Sequence, residues 1–281
     1  MKKLVLSAII VILALTAGTS AMAGGCTLKY KLAPGQEWIC TLVSKNESSF
    51  MGQKNVNQSR QTYAYKVSKG PRKGWVTLTA SIISKGAEGQ GQMDLSKLRF
   101  TADVHTSGEI RNIQYTGSVM PDMGPEAAQM PPDMKKMMED SYKMIPEAYK
   151  NSVFWFPEVP EDKLEIGDEF DVQRTMGMGG SGAGMQMETL IKQVYTLEEV
   201  SKGLAYFSVK ERSVTKTKGV AGGQSETKMA GKGDAIFDLE LGMWLELTEK
   251  SRAKVNLSGI GGMGDKPQDM NIILKYEMEQ K

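Results

Sequence analysis

The feature that most limits how this chain can fold is a period of two. Trp75, Thr77, Thr79, Ser81 and Ile83 fall on one side of an extended segment, and Val76, Leu78, Ala80 and Ile82 on the other. Tyr63, Tyr65 and Val67 share one side of another such segment, and Met270, Ile272, Leu274, Tyr276 and Met278 share one side of the last. Side chains that alternate in this way can be buried together only by pairing the segments as β-strands. The runs are separated by short turn sequences: Ser107-Gly108, Ser201-Lys202-Gly203 and Gly242. Strands joined by such short turns are antiparallel hairpins. The expected fold class is mainly β, a curved sheet or open barrel of long antiparallel hairpins.

The pattern is also duplicated. Leu32-Ala33-Pro34-Gly35-Gln36-Glu37-Trp38 is echoed 132 residues later by Leu164-Glu165-Ile166-Gly167-Asp168-Glu169-Phe170, and Val67-Ser68-Lys69-Gly70 is echoed 133 residues later by Val200-Ser201-Lys202-Gly203. A Phe-led strand entering a glycine turn occurs at 100–108 and again at 237–242. Three echoes in the same order at nearly one offset predict two β repeats, at 24–118 and 163–281. The segment between them, 119–162, is different. It opens with Pro121, Pro125, Pro131 and Pro132, and Asp133 then stands as a helix N-cap. Met134, Met137, Met138, Tyr142 and Ile145 follow on one helical stripe, and Pro146 is expected to kink the helix or to start another. Phe154-Trp155-Phe156 needs burial, so the linker should dock on the sheets rather than float.

Residues 1–23 have the layout of a secretory leader. Lys2 and Lys3 precede an apolar run from Leu4 to Ala17, and Ala21-Met22-Ala23 supplies a small-residue cleavage site. Cleavage after Ala23 predicts a periplasmic or otherwise exported protein with no integral membrane span, because no second apolar run is long enough to cross a bilayer. Of 35 basic and 33 acidic side chains, Lys2 and Lys3 leave with the leader, so the mature chain balances 33 against 33. A balance of this kind argues against a nucleic-acid partner. Cys26 and Cys40, the only cysteines, flank Ala33-Pro34-Gly35, and in an oxidising compartment they are expected to form a disulfide. A lipid-modified Cys26 is the alternative, but the leucine that usually precedes such a cysteine is missing.

Signals for catalysis are weak. His105 is the single histidine, which excludes a two-histidine zinc site and leaves a Ser-His-Asp triad one candidate. Ser213/Lys216 and Ser225/Lys228 match an S-x-x-K spacing, but in strand-like sequence the two positions face opposite sides. Gly231-Lys232-Gly233 lacks the spacing and hydroxyl of a phosphate loop. No cofactor is implied, and the expectation is a protein that is not an enzyme. Methionine is the exception, with 20 in the chain. Met176 and Met178 face Met185 and Met187 across a glycine-rich tip, where four thioethers could hold Cu(I). In the linker, Met134, Met137, Met138, Tyr142, Phe154 and Trp155 form an adaptable apolar set suited to a ligand or polypeptide.

The openings at Leu32–Trp38 and Pro157–Phe170 resemble those of a family of uncharacterised exported bacterial proteins, many of them lipoproteins. The resemblance implies turn chemistry and long hairpins but no activity. More loosely, the layout is similar to that of periplasmic lipoprotein carriers, in which a curved sheet wraps a helix and holds acyl chains. The sequence therefore points to a non-enzymatic envelope protein binding an apolar small molecule, acyl chain or envelope protein in a sheet concavity. Cu(I) binding and a structural or assembly role without a small ligand are the alternatives.

Overall fold

Eleven strands form one antiparallel sheet. The computed structural model describes residues 24–50, 53–83, 95–119, 130–150, 152–179, 186–218, 224–255 and 268–281. The strands are β1 (Glu37–Phe50), β2 (Gln53–Lys69), β3 (Trp75–Ile82), β4 (Arg99–His105), β5 (Ile110–Thr116), β6 (Glu169–Gly179), β7 (Gln186–Ser201), β8 (Leu204–Lys218), β9 (Gln224–Asp238), β10 (Met243–Val255) and β11 (Gln268–Gln280). Their order is β5-β4-β3-β2-β1-β11-β10-β9-β8-β7-β6. The chain thus starts mid-sheet, walks to one edge, crosses to the other edge and walks back. The two halves are not separate sheets: β1 pairs with β11 from Trp38↔Gln280 to Ser48↔Met270. The sheet is curled but not closed.

The crossing is made by α1 (Pro132–Lys150), which packs against both edge strands, β5 and β6. Pro132 takes the first helical position. Asp133 therefore lies in the first turn rather than capping it, and its charge suits the positive end of the helix. Pro146 is buried inside the helix and does not divide it. Tyr142, Ile145 and Tyr149 pack on the core, and Gln61 Nε2 donates to the Tyr149 hydroxyl at 3.0 Å.

Both halves enter the sheet through the same turn. Gly35 and Gly167 have φ of 95° and 94°, which glycine adopts without strain. Gly35 N donates to Val67 O at 2.9 Å and Gly167 N donates to Leu197 O at 2.7 Å. The side chains of Gln36 and Asp168 each accept from the backbone N–H three residues earlier, of Ala33 and Glu165, at 2.8 Å. The partner in β7 is Leu197 rather than Val200, and β7 carries an irregularity between Leu197 and Glu199.

The core is a single cluster at the end of the sheet where β1 and β6 begin. Trp38, Tyr65, Tyr195, Phe207, Phe237 and Trp244 are almost fully buried there. Two irregular segments close this end. Cys26 and Leu164 exchange backbone hydrogen bonds of 2.8 Å, joining the N-terminal segment to the start of the second half, just past the linker. The Tyr30 and Tyr65 hydroxyls donate to the linker carbonyls of Pro157 and Val153 at 2.9 and 2.5 Å.

The expected Cys26–Cys40 disulfide is corrected: both are free, buried thiols. The N-terminal segment runs across to Leu164, which commits Cys26 to that bridge, while Cys40 lies in β1 opposite Tyr63 and Met278.

Candidate functional site

Inward-facing rows of the sheet change character from the closed end outward. One row runs Leu197–Phe207–Ala235–Leu247–Tyr276–Leu42 across β7, β8, β9, β10, β11 and β1, and is apolar. The next holds Tyr195, Val209, Gly233, Glu249 and Leu274, and the one beyond it Gln193, Glu211, Gly231, Ser251 and Ile272. Beyond these the row is Ile191, Ser213, Met229, Ala253 and Met270. An aromatic floor therefore gives way to a polar layer, then to small and Met side chains.

The polar layer is deeply buried, with Glu249 2% and Glu211 5% exposed, so its charges cannot be hydrated. Gln193 Nε2 donates to Glu249 Oε1 at 2.7 Å and to Glu211 Oε2 at 3.4 Å, while its own carbonyl accepts from the Tyr195 hydroxyl at 3.2 Å. Burial and the neighbouring Glu211 carboxyl raise the Glu249 acid to about 9, while Gln193 and the charge of Arg174 act the other way. The pair meets because β9 carries no side chain between them. A Cβ on Gly233 would stand 2.1 Å from Thr248 O and 2.9 Å from Glu249 Cγ. This network was not legible in the sequence; the signal that could have found it was Gly231-Lys232-Gly233 within an alternating strand.

A groove of about 800 Å³ crosses β8, β9, β10 and β11 farther out. Its lining combines Arg212, Lys228 and Arg252 with Val214, Met229, Ala253 and Met270, and holds no carboxylate.

The linker residues expected to bind a ligand fall into two groups. Phe154 and Trp155 are core: Trp155 stacks on Tyr276 with centroids 4.7 Å apart, and Phe154 lies 6.2 Å from Tyr65. Tyr142 packs on the same core, Met138 is half-buried and Met134 is about half exposed. Met137 belongs to α1, but its side chain lies outside the described residues. At the glycine-rich tip, register pairs Met178 with Met187 and Met176 with Thr189, so Met176, Met178 and Met187 occupy positions of one face; Met185 lies outside the described residues. Among the described residues no group of three or more His, Cys, Asp or Glu is placed to hold a metal. No described helix is long and apolar enough to cross a membrane. His105 sits at the β4–β5 turn, its Nδ1 2.9 Å from Ser107 Oγ and its ring 5.1 Å from Trp75.

No family model matches the chain, and no curated protein does. Three solved structures illustrate what its shape is similar to. Ail, the attachment invasion locus protein of Yersinia pestis, is 6% identical over 88% of this chain and all of its own, with a TM-score of 0.20. A bacterial polysaccharide outer-membrane secretin is 8% identical over 88% and 98%, with a TM-score of 0.31. An exported protein of Bacteroides fragilis with a YmcC-like fold is 11% identical over 88% and 98%, with a TM-score of 0.27. Scores of this size stop short of a shared fold.

Proposed function

We propose that this chain is an exported envelope protein that binds rather than catalyses, and that its ligand is an amphipathic molecule with an acidic head. The groove across β8, β9, β10 and β11 carries this reading. Met229 and Met270 offer adaptable apolar contact from the inward side of these strands, and Arg212 and Arg252, at outward positions of the same strands, offer charge that no lining carboxylate neutralises. On this reading the ligand lies away from the linker, where Phe154 and Trp155 fill the core. The leader-like start at residues 1–23 supports export.

Native mass spectrometry of the mature protein taken from its exported compartment tests the reading. The expected spectrum carries an added mass of a few hundred daltons that is lost on denaturation and absent from the Met229→Lys/Met270→Lys double variant. A bare chain that also takes up no long-chain fatty acid would overturn it. A second reading, Cu(I) binding, draws on the shared face of Met176, Met178 and Met187. Stoichiometric copper uptake under anaerobic conditions, lost when those three become leucine, would favour it.

A further inference from the structure

The sequence is nearly neutral overall, yet pairing gathers its cations onto one outer face. Lys210, Lys232 and Lys250 are direct cross-strand neighbours on β8, β9 and β10. In the next row Lys192 pairs with Arg212, and Ala230 separates Arg212 from Arg252. One row farther, Lys228 lies opposite Val214. All seven cations are exposed. Across these three rows no strand from β7 to β10 places an Asp or Glu on that face. Of these seven, only Lys210 and Lys228 have ion pairs among the described residues, to Glu169 at 3.7 Å and Glu226 at 3.2 Å. Like charges directly opposite each other in a sheet are destabilising, so the isolated fold carries a repulsion that an anionic surface would relieve.

We infer that this outer face docks on a bilayer of anionic phospholipid. The side chains between the cations decide the occupant. Leu190, Val194, Val214 and Ile273 are half-buried aliphatics, and these rows hold no aromatic ring on which a base could stack. Cations interleaved with aliphatics suit a lipid headgroup layer. The face shares Arg212, Val214, Lys228 and Arg252 with the groove, but Lys210, Lys232 and Lys250 do not line it, so these three test the docking apart from what the groove holds.

The test is co-sedimentation of the mature chain with phosphatidylcholine vesicles, with and without phosphatidylglycerol. Binding should require phosphatidylglycerol and weaken steeply with added salt. Each cation removed from an anionic surface weakens binding by about fivefold, so Lys210→Gln/Lys232→Gln/Lys250→Gln should bind about a hundredfold more weakly. Its melting temperature should hold or rise, since the repulsion is gone, and the matching triple Lys→Arg variant should bind like the parent. Equal binding to pure phosphatidylcholine, undiminished binding by the glutamine variant, or equally tight binding to a short DNA duplex would each overturn the inference. Retention of the co-purified ligand by the glutamine variant separates this failure from a failure of the groove reading.

Discussion

Gln193 on β7 and Glu249 on β10 are three strands apart along the sheet, yet they share a 2.7 Å hydrogen bond. Only a sheet curled on itself can bring them together, and Gly231 and Gly233 keep the space between them open. Gln193 also reaches Glu211, so one neutral side chain ties two buried carboxyls together.

This arrangement makes stability depend on pH. The Glu249 acid is raised to about 9 from its ordinary 4.5, chiefly by burial and then by Glu211. The folded state therefore holds a proton that the unfolded chain releases. The resulting stability is complete below the ordinary value and is lost as pH rises through about 9. Urea midpoints should fall from about pH 5 to about pH 9, and Glu249→Gln should flatten that fall by supplying a permanently neutral group. A midpoint independent of pH for the parent would show that the carboxyl is not held in its acid form.

Gly233 should tolerate substitution poorly, and for a different reason from Gly167. Alanine at Gly233 would press its Cβ to 2.1 Å from Thr248 O, a backbone atom that cannot turn away. The expected cost is about 3 kcal/mol, at the upper end of overpacking penalties. Alanine at Gly167 meets nothing within 4 Å and costs only its left-handed φ, about 1 kcal/mol. Trimming Glu249 to alanine should not rescue Gly233→Ala, since the backbone contact remains. Denaturant titrations of these variants give the ranking directly.

The two cysteines should behave as inert thiols. Burial pushes Cys40 up to about 12, and burial together with Glu165 raises Cys26. Little thiolate is present at neutral pH, so both should react slowly with a disulfide reagent in the native protein. After denaturation without reductant, two thiols per chain should titrate. A count of zero would restore the disulfide that the spacing suggests.

What could be read in the sequence was whatever is local. The alternation of Trp75 to Ile83 marks β3, and Gly35 and Gly167 mark turns that share a hydrogen-bond pattern. Long-range register is different in kind. Nothing near Trp38 says that it pairs with Gln280, although that pairing turns two runs of hairpins into one sheet. The same holds for charge. Lys210, Lys232 and Lys250 look ordinary in a balanced composition and become neighbours only once β8, β9 and β10 are aligned. Glu211 and Glu249 likewise have no spacing that marks them as a pair. Phe154 and Trp155 were legible as residues that need burial, but not as to whether a ligand or the protein supplies it.

Trp155 settles that question by experiment. Its ring stacks on Tyr276 at 17° and lies 6.4 Å from Trp244, so the linker is fastened to β11 and β10 by the protein's own side chains. Trp155→Ala should therefore cost about 3–5 kcal/mol, as expected for emptying a large buried site. Met134 is 49% exposed on α1, and Met134→Ala should stay within about 0.5 kcal/mol of the parent. Ligand retention should follow the opposite pattern from that of a linker-bound ligand: Trp155→Ala should keep it in whatever fraction remains folded, and Met229→Lys/Met270→Lys should lose it at full stability. A Trp155→Ala protein with an unchanged urea midpoint and no ligand would instead place the binding site beneath the linker, with Trp155 as its wall rather than as the fastening of the fold.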